Sequence, residues 1–152
     1  MVASTSLSYA QETDSTDTSG IQAHQSFFLN SNGVTIICAS AEFGESGIVD
    51  GVRYTKRDKQ EITIRNASTS CTSGVTELSY LFYSLDSFNE DISHWDVSGV
   101  YDMNYMFYDA SSFSQDLSKW CVSNLSSQPV NFSKGSPLKD EQLPRWGKCE
   151  IY

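Results

Sequence analysis

The chain has no apolar run approaching the roughly 20 residues that cross a bilayer as a helix. Met1 to Gln25 likewise holds no apolar stretch of the kind an export signal carries. Basic residues are scarce: 10 Lys and Arg stand against 19 Asp and Glu, a net charge of −9. No local Lys/Arg cluster offsets that balance, so the surface repels phosphate backbones and anionic lipid headgroups. Neither nucleic acid binding nor membrane insertion is expected. Catalytic signatures are as thin. There are 2 histidines, His24 and His94, from which to build a triad. There is no glycine-rich phosphate cradle. Gly44-Glu45-Ser46-Gly47 lacks the Gly-x-Ser-x-Gly spacing of a nucleophile elbow. The 4 cysteines include no C-x-x-C pair and fit no zinc spacing, so they read as two disulfides and point to an oxidising compartment. The expectation is a chain that is not an enzyme and needs no cofactor and no metal.

What the sequence does contain begins with a polar, Ser/Thr-rich segment over residues 1–25. It reads as a flexible leader or, since Leu7 and Tyr9 alternate with polar residues, as an assembly arm. Residues 26–74 read as an N-terminal cap rich in β-structure. Phe27 to Leu29 and Val34 to Cys38 flank Asn30-Ser31-Asn32-Gly33, a hairpin signal. Gly51 to Lys56 alternates like another strand, and Asp58 with Glu61 has capping-box spacing for a short helix.

Residues 75–124 carry the strongest pattern. Val75 matches Val100, 25 residues on, and the same step joins Leu78 to Met103, Leu81 to Met106, Phe82-Tyr83 to Phe107-Tyr108, Phe88 to Phe113 and Trp95 to Trp120. A degenerate third copy and a C-terminal cap fill residues 125–152, with Phe132 at the Phe107 position. A period in the twenties is that of stacked repeats. Leu78, Leu81, Phe82 and Leu85 fall at helical spacing, and Ile92 to Val97 alternates as a strand would, with Ile92 left facing out or into a bend. The fold expected is therefore α/β: a short leucine-rich-repeat-like parallel solenoid of strand–turn–short helix units, between a β-rich N-terminal cap and a disulfide-closed C-terminal cap.

Met103, Met106-Phe107, Ala110, Phe113, Asp116-Leu117-Ser118, Trp120 and Val122-Ser123 together resemble the repeat of the BspA-like leucine-rich-repeat surface proteins of bacteria. The flanks Cys71-Thr72-Ser73-Gly74 and Pro144 to Cys149 are similar to that family too, so the likeness spans roughly residues 27 to 149. It implies an extracellular or cell-surface protein that works by adhesion or recognition.

Cys71 and Cys121 occupy one repeat position two rungs apart. On a solenoid that sets their Cα atoms about 9–10 Å apart, beyond the ~7 Å that a bridge spans. Of the three connectivities two remain, and Cys38–Cys71 with Cys121–Cys149 is the local one. Each bridge would tie a cap to its end rung and stabilise by about 3–4 kcal/mol.

Asp91, Asp96, Asp116 and Glu141 could offer a carboxylate pair or calcium oxygens. Three of them recur at the repeat period, so they read as turn residues. Asn66, Asn124 and Asn131 each begin an Asn-x-Ser sequon. Tyr80, Tyr83, Tyr101, Tyr105 and Tyr108 lie between core positions, either as exposed contact area or as ordinary packing. The candidate binding residues are His94, Asp96 and Lys119 on the strand face, with Tyr105 and Tyr108. The partner would be a protein or glycan at the cell surface. The alternative is a structural subunit of an extracellular filament or sheath, joining copies of itself through the leader and the solenoid ends.

Overall fold

The computed structural model describes residues 25–149, and the leader or assembly arm read at residues 1–25 lies outside them except for Gln25. Two small sheets open the chain. Strand β1 (Phe28–Leu29) pairs antiparallel with β2 (Ile36–Ile37). The turn between them is built by Asn32, whose Oδ1 accepts from the N–H groups of Val34 and Thr35, both at 3.0 Å. Gly33 at φ 71° supplies the left-handed step there. Strand β3 (Ser46–Val49) pairs antiparallel with β4 (Val52–Lys56), and β4 runs parallel to β5 (Ser70–Cys71). Asp50 and Gly51, at φ 50° and 80°, form the two-residue turn from β3 to β4. Asp58 caps a single turn of 3-10 helix, Lys59–Glu61, with the reciprocal capping-box bonds in place.

Gly47 lies against Phe27. A Cβ built on it would stand 2.5 Å from the Phe27 ring, on a chain where Phe27 is 3% exposed. Gly47→Ala must therefore displace a core aromatic, and a loss of about 1–3 kcal/mol is expected from the shift in urea midpoint. An unchanged midpoint would mean that Phe27 is not held there.

The expected strand–turn–helix solenoid is not what the chain forms. The described residues contain no α-helix, and no strand runs through 92–97; beyond the two sheets the chain is turns and extended coil. From Leu78 to Leu85 the apolar spacing belongs to successive tight turns. Leu81, Tyr83 and Leu85 donate their N–H to the carbonyls of Leu78, Tyr80 and Phe82, three residues back. Tyr80 and Ser84, at φ 58° and 53°, break any helix, and Tyr105 and Asp109 repeat that conformation at 57° and 52°. The intervening N–H groups point across the chain. Leu78, Tyr80, Phe82 and Ser84 donate to the carbonyls of Asp102, Asn104, Met106 and Tyr108 at 2.7–3.0 Å. At 92–97 another tight turn, Trp95 N–H to Ile92 C=O at 3.1 Å, buries His94 and Trp95 side by side, which a pleated strand cannot do.

Residues 25 apart nonetheless lie face to face. Ring centroids are 5.6 Å apart for Phe82 and Phe107, 5.4 Å for Phe88 and Phe113, and 6.4 Å for Trp95 and Trp120, all stacked. Each indole N–H finds a carbonyl 28 residues earlier, Trp95 on Ala67 and Trp120 on Ile92. Ile92, whose direction the pattern left open, is fully buried. This column forms one apolar core, and a smaller one joins Phe27, Ile36, Ala41 and Val49 around Cys38 and Cys71. The third copy packs beneath, with Tyr105, Phe107 and Asp109 donating to the carbonyls of Val130, Phe132 and Lys134.

Candidate functional site

The outer face of these turns carries a ladder of tyrosines. Tyr80 stacks on Tyr105 at 4.9 Å and Tyr83 on Tyr108 at 5.2 Å, both pairs within 7° of parallel. Within each turn the two rings meet at 5.7 Å and tilt, so four rings form a two-by-two array. Tyr80 and Tyr83 are 55% and 43% exposed, while Tyr105 and Tyr108 are half-buried between their neighbours. Tyr101, at 64%, stands in solvent. Below the array the third copy has no tyrosine. Val130 is exposed beneath Tyr105, and the Lys134 ammonium lies 5.9 Å from the Tyr108 ring centroid.

The strand-face residues do not join this array. His94, expected as a binding residue on a strand face, is buried. Its Nε2 meets the Ser70 carbonyl at 2.9 Å and its ring lies 5.1 Å from Tyr54, while its own carbonyl accepts from Ile36. It fastens both sheets to the stacked turns. Asp96 is half-buried, and its Oδ2 accepts from Ser73 Oγ at 2.6 Å, which itself accepts from Cys38 N–H. Lys119 is exposed. The carboxylates Asp91 and Asp116 accept from the N–H groups two residues on, Ser93 and Ser118, each at 2.9 Å, as turn-closing side chains. Glu141 lies on a 3-10 turn, Asp140–Gln142. Asn66 and Asn124 bond the carbonyls of Glu61 and Ser98, and Asn131 sits at φ 50°. Among the described residues no group of three or more His, Cys, Asp or Glu side chains could hold a metal ion. No helix among them is long and apolar enough to cross a membrane.

Cys38 is joined to Cys71 and Cys121 to Cys149. A cleft between the N-terminal hairpin and the second bridge is lined by Asn30, Asn32, Asp96, Ser98, Cys121 and Cys149. Its volume is about 130 Å³, below the ~300 Å³ where pockets for small-molecule ligands begin. Shallower, more open hollows of about 310–450 Å³ lie elsewhere on the surface, one of them along Gln128 to Lys134 on the third copy.

Burial holds the His94 ring below its ordinary 6.5, outweighing the Ser70 carbonyl and the Asp91 charge that favour its protonation. A histidine neutral in the fold binds fewer protons than it does unfolded. Stability should therefore be full above the unfolded value and fall as pH drops below it. Urea midpoints should decline from about pH 7 to about pH 5 in the native chain, and a His94→Gln variant should lose that slope. Asp91 adds no slope in this window. Burial opposes its ionisation, but the Ser93 bonds and His94 prevail and hold it below the usual carboxylate range. A slope that survives in the variant would assign the effect elsewhere.

No curated protein and no solved structure is matched by this chain. A family profile described as "Mycoplasma protein of unknown function, DUF285" matches residues 53–148, which take in β4 from Arg53 onward, β5, every stacked ring and the whole tyrosine ladder. With that share of its length matched, the chain belongs to the family described as Mycoplasma protein of unknown function, DUF285.

Proposed function

We propose that the chain is a non-enzymatic module of the cell surface or extracellular space, working by adhesion or recognition of a protein or glycan. The observation that carries this reading is the tyrosine ladder. Rigid, two-sided aromatic rings with polar tips give large contact area at low entropic cost, and here neighbouring rings hold each other in place. The two disulfides support an oxidising location.

Recognition is favoured over assembly into a filament by the far end of the stack. There Asn104 Oδ1 takes the Val130 N–H at 2.7 Å, Pro129 has no N–H to offer, and Trp146 stands edge-on to Phe132 at 5.1 Å. The Val130 and Phe132 N–H groups, two of the donors through which another copy would add, are thus already taken, the second by the Pro129 carbonyl at 3.2 Å.

Disulfide-intact protein should bind at least one member of a panel of immobilised matrix proteins and glycans saturably, and Tyr80→Ala with Tyr105→Ala should weaken that binding about tenfold or more. No saturable binding, with ordered polymers in negative stain, would favour the filament.

A further inference from the structure

The near end of the stack is more open than the far end, where the Val130 and Phe132 N–H groups are taken. In the second copy the carbonyls of Asn104, Met106 and Tyr108 accept from the copy before it. Their equivalents in the first copy are Ser79, Leu81 and Tyr83, on a backbone that repeats the same left-handed steps. Those three carbonyls therefore point away from the second copy, and among the described residues no donor meets them. The tyrosine faces turned away from Tyr105 and Tyr108 are open at the same edge, with Tyr80 55% exposed.

Tyr80 is held at φ 58°, a conformation that a glycine or asparagine adopts at lower cost. Tyr105 holds the same conformation at φ 57°, and the two rings stack at 4.9 Å.

Charge marks the same edge. Glu77 at one side accepts from Ser79 N–H, and Asp86 is exposed at the other. Lys59 is paired with Glu77 at 2.6 Å, and the chain carries −9 overall. At the far end a lysine, Lys134, covers the last tyrosine.

We propose that this edge docks an extended, lysine- or arginine-bearing segment of a partner protein. The segment's backbone N–H groups would take the carbonyls of Ser79, Leu81 and Tyr83, its cationic side chains lying over Tyr80 and Tyr83 on the side of Asp86, since Lys59 already neutralises Glu77. This rests on the recognition reading above and names its partner class.

A labelled ten-residue oligolysine, titrated into the full chain, tests it. Saturable binding is expected, weakened about tenfold by Tyr80→Ala with Tyr83→Ala and unchanged by Val130→Ala at the far end. The same peptide with alternate backbone nitrogens methylated should weaken comparably against the native chain, a readout that does not depend on how the variant folds. No binding, or equal binding of both peptides as diffuse charge attraction gives, overturns the proposal. So does sedimentation showing that the chain pairs with itself through Tyr80. If oligolysine fails while a panel ligand still binds, this edge is wrong and the recognition reading stands.

Discussion

Replacing Phe107 by alanine is expected to lower the unfolding free energy by about 3–5 kcal/mol, among the largest losses any single core position here can give. Its ring is fully buried and touches three others: Phe82 stacked at 5.6 Å, Phe113 stacked at 4.1 Å, and Phe132 edge-on at 5.3 Å. Truncation removes the transfer free energy of the ring and leaves a cavity between successive copies. The collapse that would fill it is resisted by the backbone bonds on either side, from Phe82 N–H to Met106 C=O and from Phe107 N–H to Phe132 C=O. A domain of this kind has about 5–15 kcal/mol to lose, so the variant should be largely unfolded at temperatures the parent tolerates. Phe107→Leu keeps most of the volume and should cost only about 1–2 kcal/mol. Urea unfolding of the parent and both variants gives the comparison. Near-equal costs would mean that ring stacking, not filled volume, sets the energetics. A cost near zero for the alanine would remove Phe107 from the core.

Much of this core was legible because burial follows the 25-residue step, and Phe82, Phe88, Trp95 and their equivalents are buried as periodicity requires. The hairpin around Asn32 and the capping box of Asp58 were legible too, since each is local chemistry among a few neighbours. The form of the backbone between them was not. Leu78, Leu81, Phe82 and Leu85 sit at spacings of three and four, which a helix shares with a run of tight turns. What decides between them is the left-handed step at Tyr80 and Ser84, and neither residue advertises it. Alternation at 92–97 misled for a related reason. His94 and Trp95 are both inside because each has a carbonyl to bond, Ser70 and Ala67, contacts that no local pattern contains. Asp50-Gly51 was the opposite case, a strong turn signal beside a stretch read only as the start of a strand. For the tyrosines the period fixed which rings would meet, while their exposure depended on an open end of the stack.

The two disulfides should behave differently although their loops are alike. Sequence separations of 33 and 28 residues give nearly the same loop-closure stabilisation, about 3.5–4 kcal/mol each. Their surroundings differ. Cys38 and Cys71 are fully buried in the smaller core, whereas Cys121 is half-buried and Cys149 is exposed. Reduction requires a thiolate to reach a sulfur. A small thiol acting on the folded chain should therefore open Cys121–Cys149 first, each sulfur leaving as a thiol while the reagent is oxidised to its own disulfide. Cys38–Cys71 should open only when the chain unfolds. Alkylation and mass mapping along a thiol titration should show a species with one bridge intact. A single step from two bridges to none, or Cys38–Cys71 opening first, would contradict this. Replacing both members of the buried pair by alanine should cost more than the loop term, because the sulfurs also fill a packed site beside Ile36 and Ala41. The same change at the exposed pair should cost the loop term or less. Its local effect follows from what lies beside it. Val122 N–H is held on the Lys148 carbonyl at 3.0 Å, next to Cys149, and Trp146 covers Phe132 just before it. Opening the exposed bridge should loosen that cover and raise hydrogen exchange around Phe132, while the tyrosine ladder and the first stacked rings stay protected.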